Sequence, residues 1–312
     1  MNIDCTTSRM YNYVRSRQLE GTFELAPEIG NFPITSFRIS KGWGNPLENE
    51  WPYDGDAKNW PPKEEPENID EIAKRNRAGV YQRIRSLQDC KIFLANQKPV
   101  VISLPIYPQW FKSIDGKIQI PDPLEENKGL HSITIFGYDD SKAELTFANS
   151  WGESWGDKGY GYLPYSYFVD LFVEGWAFAD IDGSVPKEEN EKIRILNYGV
   201  RDILADIIHV VEIFENKNDE FVGWSFGVTR DGYFDVEEFF IKPDYRFRGY
   251  GTRLANEILS VAKELDLPIR LWIAEADIEK DNFYGVEKIL QKMKLKYTES
   301  GVRWAAFRCL RS

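Results

Sequence analysis

Leu130-His131-Ser132-Ile133-Thr134-Ile135-Phe136-Gly137-Tyr138, the charged turn Asp139-Asp140-Ser141-Lys142, and Leu145-Thr146-Phe147-Ala148-Asn149-Ser150-Trp151-Gly152 form the stretch that decides the fold of the first half. Apolar and polar residues alternate on both sides of the turn, which predicts two antiparallel strands. His131 opens the first strand and Asn149 closes the second, so the hairpin brings an imidazole beside a side-chain amide. A catalytic imidazole needs such an orienting partner. Trp151 follows where it could cover the pair. Trp155-Gly156-Asp157-Lys158-Gly159-Tyr160-Gly161-Tyr162 completes the stretch.

Working outward towards the N-terminus, Lys98-Pro99 leads into a buried strand over Val100 to Ile106. Ser86 and Asp89 form a capping box for a helix through Leu94. Ala78 to Ile84 reads as a strand. The passage from Pro27 to Pro62 is rich in Gly and Pro, with Trp51-Pro52-Tyr53-Asp54 as its distinctive turn. Thr6 and Thr7 can cap a helix through Met10, Tyr11, Val14 and Leu19 that stops at Gly21. Downstream, Tyr165 to Val173 is a short helix or strand.

Composition narrows the function classes. The chain has 312 residues, enough for two domains. A net charge of −11 argues against binding to nucleic acid or anionic membrane. No apolar run approaches the length of a membrane span, and the polar start Met1-Asn2-Ile3-Asp4-Cys5 does not read as a signal peptide. Cys5, Cys90 and Cys309 are odd in number and far apart, which favours reduced thiols and the cytoplasm. With two histidines and scattered cysteines, no metal site is expected.

The His131 and Asn149-Ser150-Trp151-Gly152 pairing, the Trp155-Gly156-x-x-Gly159-Tyr160 repeat and the Trp51-Pro52-Tyr53 turn together resemble the papain-like cysteine peptidases over residues 1–182. The resemblance implies a thiolate–imidazolium pair, with Asn149 holding the His131 ring and Trp151 shielding that bond. The family's Cys-Gly-[Ser/Ala]-Cys-[Trp/Tyr] signature is absent. Cys5 lies 131 − 5 = 126 residues before His131, just under the ~130–150 of this arrangement. Asp4 beside it would raise its pKa, and no Gln precedes it. The nucleophile is therefore Cys5 or a cysteine in a segment missing upstream. The remaining alternative is an inactive peptide-binding module.

Residues 183–191 read as a linker. Beyond it, strands are predicted over Ile193 to Leu196, His209 to Phe214, Phe221 to Val228 and Tyr233 to Ile241, with a helix-like passage around Val200 to Ile207. A glycine loop, Arg246-Phe247-Arg248-Gly249-Tyr250-Gly251-Thr252, then leads into an amphipathic helix from Arg253 to Leu265. Strand, glycine loop and helix is the context for anion binding by backbone amides. It is neither the dinucleotide fingerprint nor a P-loop.

The run Ile241-x-Pro243-x-Tyr245-Arg246-x-Arg248-Gly249-x-Gly251 resembles motif A of GNAT-type N-acetyltransferases, over residues 192–312. The whole is thus expected to be α+β, a papain-like fold followed by a GNAT acyl-CoA N-acyltransferase fold. The resemblance implies acetyl-CoA as cofactor, its pyrophosphate held by the backbone from Arg246 to Thr252 and its pantetheine by Phe240 and Ile241. It implies Glu238 as the base that deprotonates an amine, and Tyr284, out of register with the family's general-acid Tyr, as a candidate acid. A strand over Ile269 to Ala276, a helix over Asn282 to Met293 and a last strand over Gly301 to Phe307 would follow. The segment between the first two strands is shorter than the family's usual helix pair. The substrate implied is a peptide or protein amine.

Overall fold

The computed structural model describes residues 6–179, 193–201, 207–215, 220–274, 288–291, 293, 295–301 and 304–308. Its elements are α1 (Arg9–Leu19), α2 (Pro33–Gly42), α3 (Ile69–Ala73), β1 (Val80–Ile84), α4 (Leu87–Ala95), β2 (Val100–Pro105), α5 (Pro108–Phe111), β3 (Leu130–Asp139), β4 (Glu144–Ala148), β5 (Tyr160–Pro164), α6 (Tyr165–Leu171) and β6 (Glu174–Ala179). The C-terminal part adds β7 (Ile193–Arg201), β8 (Ile207–Glu215), β9 (Glu220–Arg230), β10 (Tyr233–Ile241), α7 (Tyr250–Glu264), β11 (Ile269–Ala274), β12 (Lys296–Gly301) and β13 (Trp304–Arg308).

Packing divides these elements into two compact units. One joins Met1–Val80 to the C-terminal sheet, and the other is Tyr81–Asp180. α2 belongs to the first of these units, with the C-terminal sheet.

The Tyr81–Asp180 unit is a six-stranded sheet in the order β1-β6-β2-β3-β4-β5. The alternation that predicted β3 buries Ile133 and Ile135, and that of β4 buries Leu145 and Phe147. These join Ile102, Leu104, Phe93 of α4 and Phe168 of α6 in one core. The Ser86 cap is present: its hydroxyl accepts from the Asp89 amide at 3.0 Å. Phe147 lies opposite Gly161 on the neighbouring strand. A Cβ on Gly161 would come within 2.3 Å of that ring, so only glycine fits beneath it.

The other unit is built on a seven-stranded sheet in the order β12-β13-β11-β10-β9-β8-β7. β10 and β11 run parallel, and the other neighbouring pairs of this sheet are antiparallel. The apolar stripe of α7, Leu254, Ala255, Ile258, Val261 and Ala262, packs on Val211, Ile213, Val222, Val236 and Ile241. In the N-terminal part, α1 and α2 pack together. Ser8, not Thr6 or Thr7, caps α1: it accepts from the Tyr11 amide at 3.0 Å and donates to the Trp51 carbonyl at 2.6 Å. The Gly- and Pro-rich passage from Pro27 to Pro62 contains α2. Val200 and Arg201, read as helix-like, extend strand β7 in register with Ile208 and Ile207. The last strand is β13, with β12 before it. Most of the helix expected over Asn282 to Met293 lies outside the described residues.

Candidate functional site

Two sites emerge, one in each unit. The first is built on β3 and β4. His131 is half-buried, and its Nε2 lies 2.9 Å from Oδ1 of Asn149. That oxygen also accepts from the Ser150 amide at 2.8 Å. An amide oxygen only accepts, so Nε2 carries the proton in this contact and Nδ1 is left as the basic nitrogen of the neutral ring. Trp151 stacks on the imidazole with centroids 4.9 Å apart and planes 29° apart. Phe111 in turn stacks on Trp151, with centroids 5.1 Å apart. Trp110 meets His131 edge-on at 6.4 Å and is itself fixed through Nε1 to the Tyr167 hydroxyl at 3.0 Å.

This aromatic wall takes water away from the ring. Burial pushes the His131 pKa below its ordinary value, and the Asn149 bond partly opposes the shift. The structure thus brings His131, Asn149 and Trp151 together. Cys5 lies outside the described residues. Cys90 is wholly buried in α4, where desolvation pushes its thiol up to about 12, so it is packing and not a thiolate. The contribution of α5, which carries Trp110 and Phe111, had no signal in the sequence because four residues show no period.

The second site is the junction of β10 with α7. β10 pairs with β11 only from Phe234 to Val236. The register with β9 shifts between Val236 and Glu238, where the register with β11 ends. The chain then turns through Pro243–Tyr245 and enters α7 at Gly249, in the left-handed region at φ 87°. No side chain caps α7, which leaves its first amides facing outward with the positive end of the helix dipole. Phe247, also left-handed at φ 61°, is exposed. A Cβ on Gly249 would meet nothing within 4 Å. Arg246 donates through Nε to the Ile241 carbonyl at 3.0 Å, tying the loop to the strand end. Arg248 lies over the Tyr245 ring.

An open helix start just beyond a strand end fits a group with a phosphate end and an amide-bearing arm. Phe240, by contrast, turns its buried ring away from that edge towards Trp224 and Trp43; only its backbone is offered. Glu238, expected as the base, is 2% exposed. Its two oxygens accept from the Arg38 guanidinium at 3.0 and 2.9 Å. A carboxylate so engaged does not present itself to an amine. Tyr284 lies outside the described residues. Among the described residues no group of His, Cys, Asp and Glu could hold a metal ion, and no helix is long and apolar enough to cross a membrane.

A model of the papain family cysteine proteases matches residues 29–167, and a model of the acetyltransferase (GNAT) family matches residues 176–286. The chain is thus a papain-like segment followed by a GNAT segment, each of the expected α+β kind. An uncharacterized peptidase C1-like protein, L477 of Acanthamoeba polyphaga mimivirus, is 25% identical over 218 residues, 65% of each chain. The chain therefore spans somewhat less than two thirds of that relative. Xylellain, a cysteine protease from Xylella fastidiosa, is 26% identical over 56% of this chain and 70% of its own, with a TM-score of 0.51.

Proposed function

We propose that the chain is an acyl-CoA-dependent N-acyltransferase, with acetyl-CoA as donor and a peptide or protein amine as acceptor, joined to a papain-like half that engages peptides. The observation that carries this reading is the uncapped start of α7 behind Gly249, which follows the end of β10 beyond its register with β11. Acetyl-CoA, when bound, supplies an activated thioester carbonyl. The amides of Tyr250, Gly251 and Thr252 would hold its pyrophosphate, with Arg246, Phe247 and Arg248 shaping the approach. The backbone of Phe240 and Ile241 would pair with its pantetheine arm. Titration of purified full-length protein with acetyl-CoA in a calorimeter tests the reading; no heat of binding sinks it. Three scattered cysteines, odd in number, favour a reducing compartment, the cytoplasm, on this reading.

A second reading, thiol peptidase activity, has its own observation: the bond to Asn149 leaves Nδ1 of His131 as the proton acceptor a thiol would need. Labelling by a papain-type epoxide, lost on Cys5→Ala, would make Cys5 the nucleophile. Peptide affinity without labelling would leave a binding module.

A further inference from the structure

We infer that the N-terminal helical segment is a working part of the acyltransferase, and that Arg38 is a positioning residue which fixes the opened edge of β10 through Glu238. The inference rests on the acyltransferase reading for its functional consequence, but its structural basis is separate.

A sheet with apolar residues on both faces needs a cover on each. α7 covers one face. The other carries Glu212, Trp224, Phe226, Glu238 and Phe240, all buried. Only residues 202–206 separate β7 from β8, too short a connection to supply covering helices. α2 lies there instead. Arg38 grips Glu238 in a bidentate pair with both side chains at most 5% exposed. Lys41, one turn on, donates to Glu212 at 2.6 Å and is 3% exposed. Gly42 lets the backbone come down on Trp224, where a Cβ would stand 3.0 Å from the ring. Trp43 then meets Phe240 edge-on, and Lys242 lies 4.7 Å above the Trp43 ring.

A buried charge without its partner is strongly destabilising, so two such pairs make α2 and the sheet mutually dependent. A peptide-binding module merely tethered to a transferase would bury no charges against it. The position of the first pair matters further. Glu238 follows the register shift of β10, at the point where β10 parts from β11. Oε1 of Glu238 also accepts from the Phe239 amide at 3.0 Å. Arg38 therefore clamps the residue that sets where the strand edge opens, two residues before the Phe240 backbone. On this inference Glu238 orders the strand and does not act as the base.

The test uses full-length protein and the variants Arg38→Met, Glu238→Met, Glu238→Gln and the double Arg38→Met/Glu238→Met. Hydrogen exchange should show α2 amides opening in step with β8–β10. Arg38→Met should loosen both and leave β2–β5 unchanged. Arg38→Met should weaken acetyl-CoA binding, and raise its KM, by about tenfold or more with kcat little changed. The double variant, with no charge left unpaired, should recover most of the binding. Should Arg38→Met fail to fold while the double variant folds, the dependence is confirmed directly. Exchange of α2 independent of β8–β10 would overturn the inference. So would loss of kcat in Glu238→Gln at unchanged acetyl-CoA affinity, since that is the mark of a base. If wild-type protein binds no acetyl-CoA, the acyltransferase reading fails, and the exchange measurements still decide whether α2 belongs to the sheet.

Discussion

Oδ1 of Asn149 accepts two hydrogen bonds, one from Nε2–H of His131 and one from the Ser150 amide. The double acceptance fixes the amide's orientation and with it the tautomer of the ring. Because the bond favours the charged imidazole while burial disfavours it, the two influences can be separated by mutation. Asn149→Ala should lower the His131 pKa further below its wild-type value. With only two histidines in the chain, NMR titration of the ring protons resolves the change. A rise would mean that Asn149 is not the group sustaining the charge.

The same depressed pKa makes stability depend on pH. The unfolded chain binds a proton at His131 more readily than the folded one. The stability contributed is therefore full above the unfolded value of about 6.5 and is lost as pH falls through the folded value. His209 is shifted in the same direction by burial. Denaturant melts of wild type and His131→Gln from pH 7.5 to 5 should show a steeper loss for wild type. Identical slopes would show that His131 contributes nothing to the pH dependence.

Gly161 and Phe147 make a steric prediction. Replacing Gly161 with Ala drives a methyl into a fully buried ring and should cost about 1–3 kcal/mol. Phe147→Leu in the same chain should recover part of the loss by making room. If the double variant is simply the sum of the two single losses, the ring is not what excludes the methyl.

These examples show where the chain was legible. His131 and Asn149 are joined by one tight hairpin, so alternation and a turn were enough to bring them together. The glycine loop and α7 were legible for the same reason: strand, turn and helix follow one another. α2 was not. Its residues are almost all buried, including Arg38, Ser40 and Lys41, so no polar face alternates with an apolar one. Its charges pair with Glu238 and Glu212, and Arg38 and Glu238 are 200 residues apart. The N-cap of α1 was misplaced because three candidate hydroxyls, Thr6, Thr7 and Ser8, stand in a row. Only the Trp51 carbonyl, 43 residues away, selects Ser8.

Ser8 accordingly does two jobs with one hydroxyl. Ser8→Ala removes a helix cap worth about 0.5–2 kcal/mol. It also strands the Trp51 carbonyl, whose lost partner adds about 1–3 kcal/mol. Chemical denaturation should show a larger loss than a cap alone explains. Ser8→Thr, which keeps the hydroxyl, should lose much less. Equal losses for both variants would point to steric fit and not to the two bonds.

Gly249 separates backbone conformation from contact. Its φ of 87° lies in the left-handed region, and nothing stands within 4 Å of where a Cβ would be. Any cost of adding one is conformational, about 1–2 kcal/mol for an ordinary residue, and smaller for Asn, which visits that region more readily. The series Gly, Asn, Ala, Val should therefore fall in thermal stability in that order. Acetyl-CoA affinity should fall in step, because a strained entry tilts the amides of Tyr250, Gly251 and Thr252 away from a common focus. A Val variant that melts early yet binds acetyl-CoA as tightly as wild type would show that the start of α7 does not hold the phosphates.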